Sequence, residues 1–110
     1  MIQFQKGSSR NTQCYELRIG PHWFGISYQT IIAYRGHAGL TGEWQACRLH
    51  NSWGPTTGRH MRDLNCHQYR EVDDEEMADL IRRALMLVGT NILRDRFKLP
   101  HMTAEEARDA

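Results

Sequence analysis

The sequence predicts an α+β fold in which an antiparallel meander of four or five strands is packed by a long amphipathic C-terminal helix. Apolar residues alternate with polar ones in the N-terminal half, whereas from Met77 onward they recur every three or four residues. The connections in the first half are too short to cross over, so neighbouring strands must run antiparallel. A chain of 110 residues can bury one modest core.

The predicted strands follow in order along the first half. Residues 2–5 and 15–19 alternate cleanly, and Gly20-Pro21 closes the second of these segments. Residues 22–35 are rich in aromatic and β-branched side chains but exceed an average strand, so a break or bend is expected near residues 28–30. Residues 43–49 form the last predicted strand, in which Trp44 and Ala46 share a face.

A long helix is predicted after Asp73, which is a good N-cap with Glu76 at the third helical position. Pro100 prevents much continuation, and Gly89 weakens the middle by about 1 kcal/mol relative to Ala, which favours a kink or an early end there. The predicted inward stripe consists of Met77, Leu80, Ile81, Ala84, Leu85, Val88 and Ile92.

These elements make residues 1–100 a single α+β domain and leave residues 101–110 as a C-terminal tail. Thr103 and Glu106 repeat the capping signature, so the tail can form a short helix. Its few apolar side chains predict that this helix frays.

The charge balance excludes function classes that depend on a strong overall field. Fourteen basic residues oppose thirteen acidic ones, so bulk charge attracts neither nucleic acid nor an anionic membrane. No apolar run reaches the length of a membrane helix, and the three widely spaced cysteines suit reduced thiols. We therefore expect a soluble cytoplasmic protein that does not bind membranes.

The segment NSWGPTTGRHM at residues 51–61 differs in composition from the rest of the chain. Gly54-Pro55 indicates a turn, and either Thr56 or Thr57 can cap a short helix at residues 58–64, after the TTGRH loop. Amides at a helix start, together with hydroxyls and a guanidinium, suit a phosphate or carboxylate. The candidate binding residues are Trp53, Thr56, Thr57, Gly58, Arg59, His60 and Arg62.

A purely structural interpretation of the same segment stays open. Trp53 would then pack on the sheet, a threonine would cap the helix, and Arg59 would be solvated. The full spacing of a phosphate loop or a dinucleotide-binding loop is absent, so neither motif is predicted.

Two segments also carry a resemblance to known sequences. ISYQTIIAYRG followed by NSWGPTTGRHMRDL resembles a family of small phage-encoded proteins of unknown function, which have an SYxTxIAF-like segment and then a W…TTG(K/R)H motif. The similarity covers residues 26–64. It implies a viral accessory protein that acts in the cytoplasm of a bacterial host, and it implies no particular activity.

These observations favour two classes of function. The first is a non-enzymatic phage accessory protein that binds and modulates a host protein, such as a defence or regulatory factor. The second is a binder of a small anionic ligand such as a nucleotide, with Trp53 as a stacking wall. Single-stranded nucleic acid or RNA is a further alternative, because arginines and aromatic residues alternate here: Arg48, Arg59, Arg62, Arg70, Trp44, Trp53 and Tyr69.

No catalytic residue, metal site or cofactor is predicted. A zinc set can be drawn from Cys47, His50, Cys66 and His67, but the adjacent Cys66 and His67 approach one ion awkwardly. A nucleophilic Cys66 with His60 or His67 and Asp63 can also be drawn, although scattered histidines explain the pattern better. Edge strands of a sheet covered by one helix can pair between two copies, which makes a homodimer plausible.

Overall fold

A computed structural model of the protein describes residues 2–6 and 13–109, which form six strands and three helices. The strands are β1 (Ile2–Lys6), β2 (Cys14–Ile19), β3 (His22–Ser27), β4 (Thr30–Gly36), β5 (Gln45–Leu49) and β6 (Arg70–Val72). The helices are α1 (Pro55–Asp63), α2 (Asp74–Arg96) and α3 (Ala104–Asp109).

The strands form one sheet in sequence order, from β1 to β6. The first five pair antiparallel, which confirms the predicted meander. Strand β6 pairs parallel with β5, and α1 lies within the crossover that such a pair requires. Strand β6 was not predicted, because its three residues are too few to show an alternating pattern.

The predicted break in the long β segment is confirmed, since Tyr28 and Gln29 form the turn between β3 and β4. Strand β5 begins later than predicted, at Gln45, because Glu43 belongs to a turn in which its carbonyl accepts from the Gly39 amide. Trp44 therefore lies outside the strand with 52% of its surface exposed, and the predicted pairing of Trp44 and Ala46 on one face of a strand is wrong.

The sheet carries apolar side chains on both faces. Successive residues of a strand point to opposite faces, so Trp23 and Phe24 belong to different clusters. Helix α2 covers the cluster that contains Phe24, Tyr34, Leu49, Met77 and Leu80. Helix α1 covers the cluster that contains Trp23, Ala33, Met61, Leu64 and Cys66.

Helix α2 begins as predicted, because the Asp73 side chain accepts a 2.8 Å hydrogen bond from the Glu76 amide. It continues through Gly89 to Arg96, so the helix does not end early. Its buried residues are Met77, Leu80, Arg83, Ala84 and Leu87.

Two residues of the predicted inward stripe, Leu85 and Ile92, are instead 48% and 57% exposed. The prediction is wrong for both because β4, β5 and α3, the elements that contact α2 most, leave these two side chains uncovered. No helix among residues 2–6 and 13–109 combines the length and apolar character needed to cross a bilayer.

The end of the chain packs against α2 through helix α3, where the sequence predicts a frayed tail. Ala107 is fully buried, and Arg94 pairs with Glu106 at 3.2 Å. The Met102 amide donates to the Asn91 side chain at 2.6 Å. Polar contacts therefore supply the attachment that the small apolar surface of α3 does not.

Candidate ligand-binding cleft

The turn between β3 and β4 forms one wall of a cleft on the α1 side of the sheet. Ser27 pairs with Thr30 across this turn, and Tyr28 between them has a φ of 56°, a left-handed conformation that is uncommon for a residue other than glycine. The Tyr28 amide donates a 2.7 Å hydrogen bond to the Gln13 carbonyl, which holds the turn against β2.

A β-bulge in the same hairpin supplies the apolar part of that wall. Gly25 pairs with Ala33, whereas the next residue, Ile26, pairs with Ile31, so Ile32 is the extra residue of β4. The bulge places both Ile32 and Ala33 in the cluster under α1.

The opposite wall is built by the turn that leads into α1. The Asn51 side chain accepts from the amides of Trp53 and Gly54, each at 3.1 Å, and donates to the Gly54 carbonyl at 2.9 Å. Gly54 has a φ of 115°, which favours glycine, and Pro55 opens the helix. This turn leaves Trp53 52% exposed and Thr57 buried on the inner side of the first helical turn.

A buried hydrogen bond joins the two walls, because Ser27 Oγ and His60 Nδ1 lie 2.6 Å apart. The Tyr28 ring lies against His60, with ring centroids 5.6 Å apart. His60 is fully buried, and its Nε2 is the one buried side-chain nitrogen or oxygen without a partner among the described residues. Burial lowers the pKa of His60, so its imidazole is neutral at neutral pH.

The space between the walls is a cleft of about 260 Å³. It is lined by Ser27, Tyr28, Thr30, Ile32, Trp53 and Thr57. The rings of Tyr28 and Trp53 are about half exposed, whereas Ser27, Ile32 and Thr57 are buried. None of these six residues carries a formal charge, so the cleft combines two accessible aromatic rings with hydroxyl groups.

The structure brings only part of the predicted binding set to this cleft. Trp53 and Thr57 line it, and His60 contacts the lining residue Ser27. Arg59 and Arg62 are exposed and do not line the cleft, and neither do Thr56 and Gly58.

The predicted TTGRH loop is in fact the first part of α1, which begins at Pro55 rather than at residue 58. The predicted threonine cap is wrong as well, because Gly54 is the N-cap and no side chain caps the helix. The Gly58 amide donates to the Gly54 carbonyl at 3.2 Å, as in any helix, and is therefore not an outward-facing donor.

Sequence reasoning missed four lining residues and the residue that shapes the turn. Ser27, Tyr28, Thr30 and Ile32 were assigned to strands or to their break, where an alternating pattern gives no sign of a binding role. Asn51 stands three residues before Gly54, a spacing that suits a side chain closing a turn, and this was the available signal.

The four residues considered for zinc do not converge. Cys47 belongs to the cluster under α2, and Cys66 belongs to the cluster under α1, on the other face of the sheet. His50 and His67 are exposed. No group of three metal-binding side chains is assembled within the part of the chain that the structure describes.

The structure also bears on the residues considered for nucleophilic catalysis and for nucleic-acid binding. Cys66 is fully buried, and burial raises its pKa to about 12, so it is a thiol rather than a nucleophilic thiolate. Arg48 donates to the His67 carbonyl at 3.0 Å, and Arg70 pairs with Glu76 at 2.6 Å. These two arginines of the basic and aromatic set are thus engaged within the protein.

No protein-family model matches this chain, and no curated protein or solved structure matches it significantly.

Proposed function

We propose that this protein is a binding protein whose cleft takes a flat, uncharged heteroaromatic ring of the nucleobase class. The observation that carries the proposal is the convergence of Trp53 and Tyr28, two accessible rings from separate segments, with the hydroxyls of Ser27, Thr30 and Thr57 in one cleft. The ligand is then a free base, a nucleoside or the base of a nucleotide.

The lining chemistry suits the face and the edge of such a ring. Stacking of a base on an aromatic side chain contributes about 1–3 kcal/mol and tolerates different bases. Hydroxyl groups both donate and accept, so they can pair with ring nitrogens and with exocyclic oxygens or amino groups. The volume of about 260 Å³ lies below the usual range for drug-sized ligands, which favours a single ring system.

The uncharged lining changes the ligand expected from the sequence. An anionic ligand was expected because Arg59 lies near Thr56 and Thr57 in the sequence, but Arg59 does not line the cleft. We therefore expect the ring to supply the binding energy, and a nucleoside to bind about as tightly as its 5′-monophosphate.

The Ser27–His60 pair supports binding rather than nucleophilic catalysis. A serine nucleophile needs a histidine that can become an imidazolium, usually stabilised by a carboxylate at its other nitrogen. Burial of His60 instead lowers its pKa and disfavours the charged ring. The pair then orients the Ser27 hydroxyl in the cleft.

Isothermal titration calorimetry and thermal melts with the common nucleosides and their 5′-monophosphates test this proposal. We expect at least one nucleoside to raise the melting temperature, and its monophosphate to raise it equally. Trp53→Ala should abolish the shift with little effect on the unliganded protein. Trp44→Ala is the matched control, because Trp44 is also 52% exposed but does not line the cleft.

Three results would contradict the proposal. The first is no shift with any nucleoside at millimolar concentration. The second is equal loss of binding in both tryptophan variants. The third is binding that requires the phosphate and disappears in Arg59→Ala, which would support an anion site at α1 instead.

A partner protein is the second candidate, and the outer side of the second half of α2 favours it. Leu93 near the end of α2 and Phe97 at its C-cap are 60% and 67% exposed, and neighbouring exposed apolar side chains can mark a protein-binding surface. For a phage accessory protein the partner would belong to the bacterial host. A stoichiometric complex that Leu93→Asp disrupts, and that the distant control Leu40→Asp preserves, would support this function.

A further inference from the structure

A second cleft, on the α2 side of the sheet, contains a buried arginine whose charge is not paired with any described residue. Arg83 is 5% exposed and lies between the buried residues Leu80 and Leu87 on the inner side of α2. Its Nε donates a 2.8 Å hydrogen bond to the Ala38 carbonyl. A guanidinium stays charged in proteins, and such a charge is almost never buried unless it is paired.

The terminal amino groups of Arg83 have no hydrogen-bond or ion-pair partner in the part of the chain that the structure describes. Within residues 2–6 and 13–109, Arg83 forms no ion pair, and Nε makes its only side-chain hydrogen bond. His60 Nε2 is the one buried side-chain nitrogen or oxygen without a partner in the described residues, so the Arg83 amino groups reach solvent. They do so in a cleft of about 380 Å³ that Arg83 lines.

The other charged residues that line this cleft differ in whether they already form ion pairs or hydrogen bonds within the protein. Arg70 and Glu76 pair with each other at 2.6 Å. The Glu43 carboxylate accepts from the Thr41 amide and hydroxyl at 2.8 and 2.6 Å, and these bonds lower its pKa to about 2. Asp79 is exposed and forms no ion pair with a described residue.

Two free charges of opposite sign therefore lie on neighbouring turns of α2. Asp79 and Arg83 are four residues apart, a spacing that places side chains side by side on a helix. A ligand with a carboxylate beside an ammonium group matches this pair. A phosphate dianion does not, because two arginines in the lining face three carboxylates, Glu43, Glu76 and Asp79.

We propose that this cleft binds a free α-amino acid. The ligand carboxylate accepts from the two terminal amino groups of Arg83, and the ligand ammonium group pairs with Asp79 beside the ionised Glu43. The ligand side chain contacts Leu40, which is 50% exposed and lines the same cleft. This site lies on the face of the sheet opposite the cleft lined by Trp53 and Tyr28, which we call the Trp53 cleft, and is independent of it.

Thermal melts and calorimetry of the full chain with the standard L-α-amino acids at millimolar concentration test the proposal. We expect at least one amino acid to bind, whereas the analogue without the amino group and the analogue without the carboxyl group bind at least roughly tenfold more weakly. Asp79→Asn should weaken binding by a similar factor without changing the unliganded melting temperature. Glu75→Gln, an exposed carboxylate of α2 outside the cleft, should bind normally.

Arg83→Met removes the guanidinium and keeps a long side chain. Removing an unpaired buried charge also removes the cost of keeping that charge out of water, so we expect this variant to fold and to lose binding. If this variant does not fold, the affinity of Asp79→Asn for the amino acid still tests the proposal. The proposal is overturned if no amino acid binds, if the analogue without the amino group binds as tightly, or if Asp79→Asn or a folded Arg83→Met retains full affinity.

Discussion

Ser27 and His60 are 33 residues apart in the chain, and their side chains form a buried 2.6 Å hydrogen bond that joins the β3–β4 hairpin to helix α1. This contact sets the distance between the two walls of the Trp53 cleft. Both partners are almost completely buried, so removing either one leaves a polar group without a partner.

We predict that this bond is measurable as a coupling between the two residues. Ser27→Ala and His60→Phe should each lower the free energy of unfolding by about 1–3 kcal/mol, because each leaves its former partner unpaired. The double variant should cost less than the sum of the two, with a coupling energy of about 0.5–3 kcal/mol. Urea denaturation of the four proteins measures this, and strictly additive costs would show that the bond contributes nothing.

The pH dependence of stability should reflect the two buried histidines. Burial lowers the pKa of His22 and of His60 below the unfolded value of 6.5, so the unfolded chain binds more protons just below that pH. Their contribution to stability is therefore complete above about pH 6.5 and is lost as the pH falls toward the folded pKa values. Each histidine contributes at most about 1.4 kcal/mol per pH unit.

The neighbouring charges modify this effect without reversing it. His37 further lowers the pKa of His22, while around His60 the Asp63 carboxylate opposes the effect of burial and Arg59 adds to it. Urea midpoints between about pH 7.5 and 5.5 should decline for the native chain and decline less for His22→Gln or His60→Gln. A profile that is flat, or that neither substitution changes, would contradict the assignment.

Two glycines should respond to alanine in opposite directions. A Cβ at Gly25 would lie 2.9 Å from Trp23 Cη2 and 3.0 Å from Leu64 Cδ1, so Gly25→Ala should destabilise the α1 face by about 1–3 kcal/mol through overpacking. A Cβ at Gly89 would meet nothing within 4 Å, so Gly89→Ala should stabilise α2 by about 1 kcal/mol. Thermal or urea unfolding checks both signs, and the same sign for both would refute this account of the packing.

The sequence by itself determined the features that depend on neighbours along the chain. The alternation of Tyr15, Leu17 and Ile19, and the pairing of Asp73 with Glu76, predict a strand and a helix start that the structure confirms. Such signals are local, because side-chain direction in a strand and capping at a helix end depend on adjacent residues.

Part of the candidate cleft could be predicted from the sequence in the same way. Trp53 and Thr57 stood out by composition and do line it. Ser27 and Tyr28 did not, because residues of a strand end and a turn come to line a cleft only through what packs beside them. The same holds for Arg83, whose burial on the inner side of α2 was not predicted.

Tertiary structure alone decided which distant residues meet. Ser27 reaches His60 across 33 positions, and Arg83 reaches the Ala38 carbonyl across 45. The physical reason is that a sheet with two apolar faces needs a helix on each, and the positions of α1 and α2 are set by packing rather than by local propensity. Both clefts form beside those two packed helices. The residues that line each cleft therefore come together only in the folded chain.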